Sequence, residues 1–465
     1  MNDTAATVSA TTAAADDHSL SRSLRPRHVS MITIGGIIGA GLFVGSSAAI
    51  SAAGPASVIS YALTGAVVFL IMRMLGEMAV ANPQVRSFTE FSRLGLGHWA
   101  GFSVGWLYWF FWVVVIPVEA IAGATILQDW LPLENWQLGA ILMAAMTGVN
   151  LMSARAYGEF EFWFSSIKVA AIITFIAMAA SYAFGLSSPS GPTFGNLVSH
   201  GGFMPHGPVA VLATVTTVIF SMMGAEIVAV AAAESTEPAR AVARMSSTIV
   251  VRILVFYVTS LLLIVSILPW DRVRPGESPF TRALEQMHVP WAPTIMSAII
   301  LTAVLSCLNS AFYVASRVLF VLADKGDAPH WLVKTNKRHV PARSVMLGSA
   351  VGFAGVLVAV LSPSVVFKWL VNASGAVIVF VYIATAAAQV SLRRRGERAG
   401  GPPPALPIWL FPWLSYFAIA AMTAVLVAMA FTPDLASQLW ASVGSVAVAL
   451  VAYALVRHGK YEAAP

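Results

Sequence analysis

The chain has 465 residues, 58% of them hydrophobic and only 10% charged, with a formal net charge of +6. Soluble domains carry about 25% charged residues, so too little polar surface remains here to coat a water-soluble globule. The positive excess sits in short loops, which points to membrane orientation rather than to nucleic acid. Cys307 is the sole cysteine, which excludes an intrachain disulfide, and no metal-type Cys/His spacing occurs.

Residues 1–24 are rich in Ala, Thr and Ser, with Asp16 and Asp17, and lack the basic-then-apolar pattern of a signal peptide. They are expected to form a disordered cytoplasmic tail. A span needs about 20 mostly apolar residues, and roughly twelve such blocks follow. They are placed at 29–51, 55–81, 99–130, 136–153, 160–185, 208–233, 246–268, 291–322, 343–361, 365–391, 406–431 and 436–456. Spans 3 and 8 are long, which implies tilt. The fold class is an all-α polytopic membrane protein of 12 transmembrane helices, with no room for a sizeable soluble domain. Basic loop residues gather on one side, from Arg22, Arg25 and Arg27 through Arg393, Arg394 and Arg395 to Arg457 and Lys460. The other side holds only Arg272, Arg274 and Arg282. By the positive-inside rule both termini are cytoplasmic. Ser87 to His98 reads as a short interfacial helix, Ala323 to Pro341 as the most polar loop, and residues 392–405 as a basic, Pro-rich linker before the last two spans, 406–456.

Two spans are interrupted. Span 1 runs Ile34-Gly35-Gly36-Ile37-Ile38-Gly39-Ala40-Gly41-Leu42-Phe43-Val44-Gly45-Ser46, and each glycine weakens a helix by about 1 kcal/mol relative to Ala. Gly35/Gly39 and Gly41/Gly45 also have the GxxxG spacing of close helix packing. Span 6 runs Phe220-Ser221-Met222-Met223-Gly224-Ala225-Glu226-Ile227-Val228, with a carboxylate mid-span directly after the glycine and alanine. The two interruptions lead matching groups of five spans, 25–185 and 208–391. An odd number of spans per group makes the groups inverted. Gly-interrupted segments at matching positions of two halves point to a transporter site.

Unwinding a helix at mid-membrane frees N–H and C=O groups that only protein or a polar ligand can satisfy. The start of each second half-helix carries partial positive charge, so a substrate carboxylate fits on the amides near Ala40, Gly41 and Leu42. Carbonyls at the ends of the first half-helices suit an ammonium or a cation. The candidate substrate site is therefore Ile38, Gly39, Ala40, Gly41 and Leu42 with Ser221, Gly224, Ala225 and Glu226, and its ligand an amino acid zwitterion.

Gly35 to Ser46, Gly54-Pro55, Leu75-Gly76-Glu77-Met78, Tyr157-Gly158-Glu159-Phe160 and Gly224-Ala225-Glu226 resemble the amino acid–polyamine–organocation superfamily, in its bacterial amino acid transporter branch. Further stretches are most similar to the 4-aminobutyrate (GABA) permeases of that branch. They are Gly105-Trp106-Leu107-Tyr108-Trp109 with Val115-Ile116-Pro117-Val118-Glu119, Gly158 to Trp163, Gly201 to Pro205 and Ser306-Cys307-Leu308-Asn309-Ser310. Ala40 stands where many branch members have Thr, and GABA permeases share the Ala. The resemblance covers nearly the whole chain from Arg25 onward. It implies the five-plus-five inverted-repeat fold of the bacterial leucine transporter, with a proton as the coupling ion and no cofactor, in a cytoplasmic (inner) membrane.

A charge at the membrane centre costs about 3 kcal/mol or more, so each ionisable residue inside a span is a functional candidate. Lys168, a third of the way into span 5, either snorkels to the cytoplasmic surface or is the proton-coupling group. The resemblance implies the second role, with its ammonium in the place of the sodium ion of sodium-coupled relatives. Glu119 either bonds a neighbouring helix or meets the substrate amine, which in GABA lies three methylenes from the carboxylate. Glu226 is either a helix-start acid stabilised by the macrodipole or a proton carrier or amine contact. Arg73 and Glu77 are four apart and expected to pair. Glu159 and Glu161 read as acids opening span 5, Cys307 as a packing residue, and Trp106, Tyr108, Trp109 and Trp112 as helix surface and belt.

The expected activity is import of GABA or a similar small amino acid by alternating access. A transporter or exchanger of another amino acid (proline, neutral or aromatic) is the alternative on the same fold. An enzyme would need a nucleophile or metal constellation that one Cys and scattered His residues do not supply, and a sensor would need an appended signalling domain.

Overall fold

The computed structural model describes residues 24–35, 38–82, 85, 87–189, 191–232, 253–361, 365–366, 370 and 374–462. The expected tail up to residue 23, the start of span 7 and parts of span 10 lie outside the described residues. The described elements are all helices. They begin with α1 (Pro26–Gly35), α2 (Ala40–Phe43), α3 (Ser46–Ala53), α4 (Ser57–Ala81), α5 (Thr89–Leu96), α6 (His98–Leu127), α7 (Asn135–Met152) and α8 (Ala154–Ala183). After a helical turn at Asn196–Ser199 come α9 (Gly207–Ser221), α10 (Ile227–Ala232), a π-helical stretch Ile253–Thr259, α11 (Ser260–Ile267), α12 (Pro279–Gln286) and α13 (Ala292–Asp324). The chain closes with α14 (Ala342–Val358), α15 (Val377–Arg398), α16 (Trp413–Ala430) and α17 (Pro433–Glu462).

Seven helical segments among the described residues are long and apolar enough to cross a membrane, and three apolar helices are shorter. Local chemistry sets several boundaries. Ser153 caps α8 by accepting the Ala156 amide at 3.0 Å. Glu134 and Gln137 form a capping box at the start of α7. Helix α15 continues through Arg393–Arg395 to Arg398, past the expected start of the linker at 392. Arginine is a good helix former, and positive charge at a helix C-terminus opposes the macrodipole.

The 30-residue α6 and the 33-residue α13 pack along one another, and α1 lies against α8. Between helices in a membrane, van der Waals fit and polar contacts replace the hydrophobic drive. Thr147 of α7 meets Ser349 of α14 at 2.9 Å, and the Asn150 amide donates to Asn309 of α13 at 3.0 Å. Helix α5 forms within the 87–98 segment and packs on α15 and α6. Its Arg93 is ion-paired to Asp327, in the loop after α13, and His98 approaches the same carboxylate at 2.8 Å.

Glu77 does not pair with Arg73. Its buried carboxylate accepts from the Gln389 amide at 2.8 Å, from Arg393 at 3.2 Å and from the Ile408 backbone N–H at 2.7 Å. Arg73 instead donates to the Pro407 carbonyl at 2.9 Å. The i,i+4 spacing offers a weak local pair, whereas three donors converge on the buried Glu77 carboxylate from distant segments. Replacing Glu77 with Ala leaves the buried Gln389 amide and Ile408 N–H without their acceptor, a loss of about 1–3 kcal/mol. Glu77→Ala should therefore lower the thermal unfolding temperature of the detergent-solubilised protein, and an unchanged temperature would show the network to be energetically idle.

Candidate substrate and coupling site

Helix α1 stops at Gly35 and the helix resumes at Ala40, with Ile38 and Gly39 outside helical geometry. Helix α9 stops at Ser221, turns through 222–226, and restarts as α10 at Ile227. Gly224 carries φ +95°, which a side-chain-bearing residue adopts only with strain. The two breaks touch: a Cβ built on Gly41 would lie 2.9 Å from the Ser221 Cα. Only glycine allows that approach.

Beside the contact is a cavity of about 150 Å³. Ile38, Gly39 and Gly41 line it from the first break, and Ser221, Met223 and Ile227 from the second. Helix α6 adds Phe111, Trp112, Val115 and Glu119, α8 adds Lys168, and α13 adds Ser306, Cys307 and Ser310. Among the described residues, Leu42, Gly224, Ala225 and Glu226 do not line it, and the Ala40 side chain lies outside what is described. The structure thus gathers Ile38, Gly39, Gly41, Ser221, Glu119 and Lys168 around one space.

Lys168 does not reach a surface. It is 1% exposed, and its Nζ donates to the Ile38 carbonyl at 2.9 Å and to the Ser306 hydroxyl at 2.8 Å. The Ile38 carbonyl is one that the broken helix leaves without an intrahelical donor. At the other break, the Ser221 carbonyl accepts the Tyr257 hydroxyl at 3.0 Å from the π-helical stretch. Such π-turns often mark functional positions in helices.

Glu119 follows Pro117 by two residues on α6 and lines the cavity together with Cys307. Its Oε2 is buried and has no hydrogen-bond partner. An orphaned carboxylate oxygen on a cavity wall is a costly arrangement that a ligand donor would relieve. Glu226 is fully buried and held by two phenols, Tyr382 at 2.6 Å and Tyr108 at 3.2 Å.

Three further residues, Tyr108, Trp112 and Glu161, sit differently from the sequence expectation. Tyr108 and Trp112 are buried, Tyr108 against Glu226 and Trp112 on the cavity wall, while Trp106 and Trp109 are only partly covered. Helix α6 is apolar all round, so its inward face has no sequence signature. Glu159 is ion-paired to Arg27 near the start of α8, but Glu161 is 0% exposed. Glu161 accepts from Ser306 at 2.6 Å and Ser165 at 3.0 Å. The available signal was spacing: Glu161, Ser165 and Lys168 stand at i, i+4 and i+7 on one helix face.

Comparison with known proteins gives the family. The family model described as amino acid permease matches residues 28–458. The gamma-aminobutyric acid permease of Bacillus subtilis (strain 168) is 44% identical over 443 residues, 95% of this chain and 94% of the relative. That of Escherichia coli (strain K12) is 44% identical over 423 residues, 90% of each chain. The aromatic amino acid transport protein AroP of Corynebacterium glutamicum is 37% identical over 423 residues, 90% of this chain and 91% of the relative. The chain is thus a multi-pass membrane transporter, not an enzyme, and belongs to the amino acid permease family.

Proposed function

We propose that this chain imports GABA or a similar small amino acid by proton-coupled alternating access across a cytoplasmic membrane. In this reading twelve spans form a five-plus-five inverted repeat with both termini cytoplasmic. The observation that carries the site is the unpartnered Glu119 oxygen, in a cavity that also holds the two helix breaks and Lys168. The substrate carboxylate lies on the amides of the first break near Gly39 to Leu42. The amine, separated from the carboxylate by methylenes, reaches Glu119. Lys168 holds the coupling proton while its ammonium satisfies the Ile38 carbonyl. Two relatives named as GABA permeases, similar over 90% or more of this chain, support the substrate class. The aromatic transport relative keeps a larger substrate as the second reading, and Phe111 and Trp112 on the cavity wall would meet its ring.

The test is uptake of radiolabelled GABA into proteoliposomes under an inward proton gradient, with unlabelled proline, alanine, lysine and phenylalanine as competitors. Concentrative uptake blocked only by GABA-like compounds is expected. Uptake blocked by phenylalanine but not by GABA analogues would overturn the substrate. Removing the charge with Glu119→Gln should forfeit about 1.5–3 kcal/mol of a charge-assisted bond. That raises KM for GABA about tenfold or more, and an unchanged KM would place the amine elsewhere. Lys168→Ala should remove the response to the proton gradient, read as equal uptake with and without it. Gly41→Val should abolish transport in protein that remains monodisperse, because a side chain there drives the two breaks apart; wild-type uptake would show that the contact is dispensable.

A further inference from the structure

We propose that Glu161 is the proton-relay residue through which Lys168 exchanges its proton with the side of the membrane where α8 begins. The inference rests on the proton-coupled reading above and adds a residue that reading does not use. Ser306 bridges the two groups: its Oγ accepts from Lys168 Nζ at 2.8 Å and donates to Glu161 Oε1 at 2.6 Å. This is one unbroken hydrogen-bonded path between two fully buried ionisable groups. Ser310 donates to the other carboxylate oxygen, Oε2, at 3.5 Å, and Tyr157 lies 3.3 Å from the Ser310 hydroxyl. Tyr157 is three residues into α8, so the path runs from the cavity toward that end of the helix.

The transfer balances without a co-reactant. The ammonium N–H breaks and its proton passes to the Ser306 oxygen. In the same step the Ser306 O–H breaks and its proton passes to the Glu161 carboxylate. An ammonium and a carboxylate become a neutral amine and a neutral carboxylic acid. Glu161 then releases its proton toward Ser310 and Tyr157, and the lysine is free to be reloaded from the cavity.

The surroundings favour this path over others. On α13, Ser306 and Ser310 touch Glu161, and Cys307 faces Lys168. On α6, Glu119 faces Lys168 across the cavity. The segments α7 and α11, also packed on α8, carry no titratable side chain, and Tyr257 of the π-helical stretch is bonded to the Ser221 carbonyl. On α1, Arg27 and His28 engage Glu159 instead. Tyr313 stacks on Tyr157 at 3.9 Å, and the Arg317 guanidinium lies 4.1 Å over the Tyr313 ring.

Glu161→Gln keeps the shape and the hydrogen bonds but cannot take a proton. The experiment compares two activities in the same proteoliposomes: GABA counterflow, which needs no net proton release, and GABA accumulation driven by a proton gradient. The variant is expected to retain counterflow while accumulation falls by about tenfold or more, with the pH profile of accumulation flattened. Ser306→Ala, which removes the bridge and leaves both charges, should lower the ratio of accumulation to counterflow in the same way, and it decides the matter if the Gln variant does not fold. An unchanged ratio and pH profile in both variants would overturn the relay. So would parallel loss of counterflow and accumulation in monodisperse Gln variant, which is the mark of a structural role alone. Wild-type protein that exchanges GABA but ignores the gradient would overturn proton coupling itself, and the relay with it.

Discussion

The ammonium of Lys168 sits where an α-helical membrane protein has an unavoidable debt of hydrogen bonding. A helix broken inside an apolar span leaves carbonyls that lipid cannot satisfy. One of them, on Ile38, is met by the lysine. The arrangement is reciprocal, because the lysine is itself too deep for water and must find acceptors. Each half of the pairing makes the other tolerable. The broken span, the cavity beside it and the buried charge are one feature.

The rest of the site follows from that constraint. The first break is held by α8 beside the second, and glycine at 41 lets the helix ends that flank the two breaks meet. Because α8 must present a lysine inward, the residues one and two turns earlier on the same face are inward too, and they are Ser165 and Glu161. Helix α13 answers with Ser306, Cys307 and Ser310 on its cavity side. Polar residues of α8 and α13 are thereby drawn together into a seam on the side where the two helices meet the cavity.

Much of this was readable in the residues, and the reason is contrast. Lys168, Glu119 and the glycines of span 1 stand out because their neighbours are apolar, so each carries a signal by itself. The breaks at Gly35 to Ala40 and at Ser221 to Ile227 fall where glycine and a mid-span carboxylate pointed. What was not readable depends on helical phase or on distant partners. Glu159 and Glu161 look alike in sequence, yet two residues are about 200° of helix, enough to turn one outward to Arg27 and the other into the seam. Tyr108 and Trp112 lie on a helix with no polar face to mark its inward side. Glu77 finds its partners more than 300 positions away, at Gln389, Arg393 and Ile408, so the nearby Arg73 was the only partner that local spacing could offer.

Glu226 lies just beyond the cavity, and its position has a mechanical consequence. Its two oxygens are gripped by Tyr108 of α6 and Tyr382 of α15. Helix α9, on the far side of Gly224, has no share in that grip and packs on α3 and α4. The two pieces of the same span are therefore held by different neighbours, although α4 is itself tied to α15 through Glu77 and Gln389. They are joined only through the turn at 222–226, where the Gly224 backbone already lies outside the helical basin. The carboxylate is a rivet that fixes the start of the second half of the span to α6 and α15 without engaging the first half.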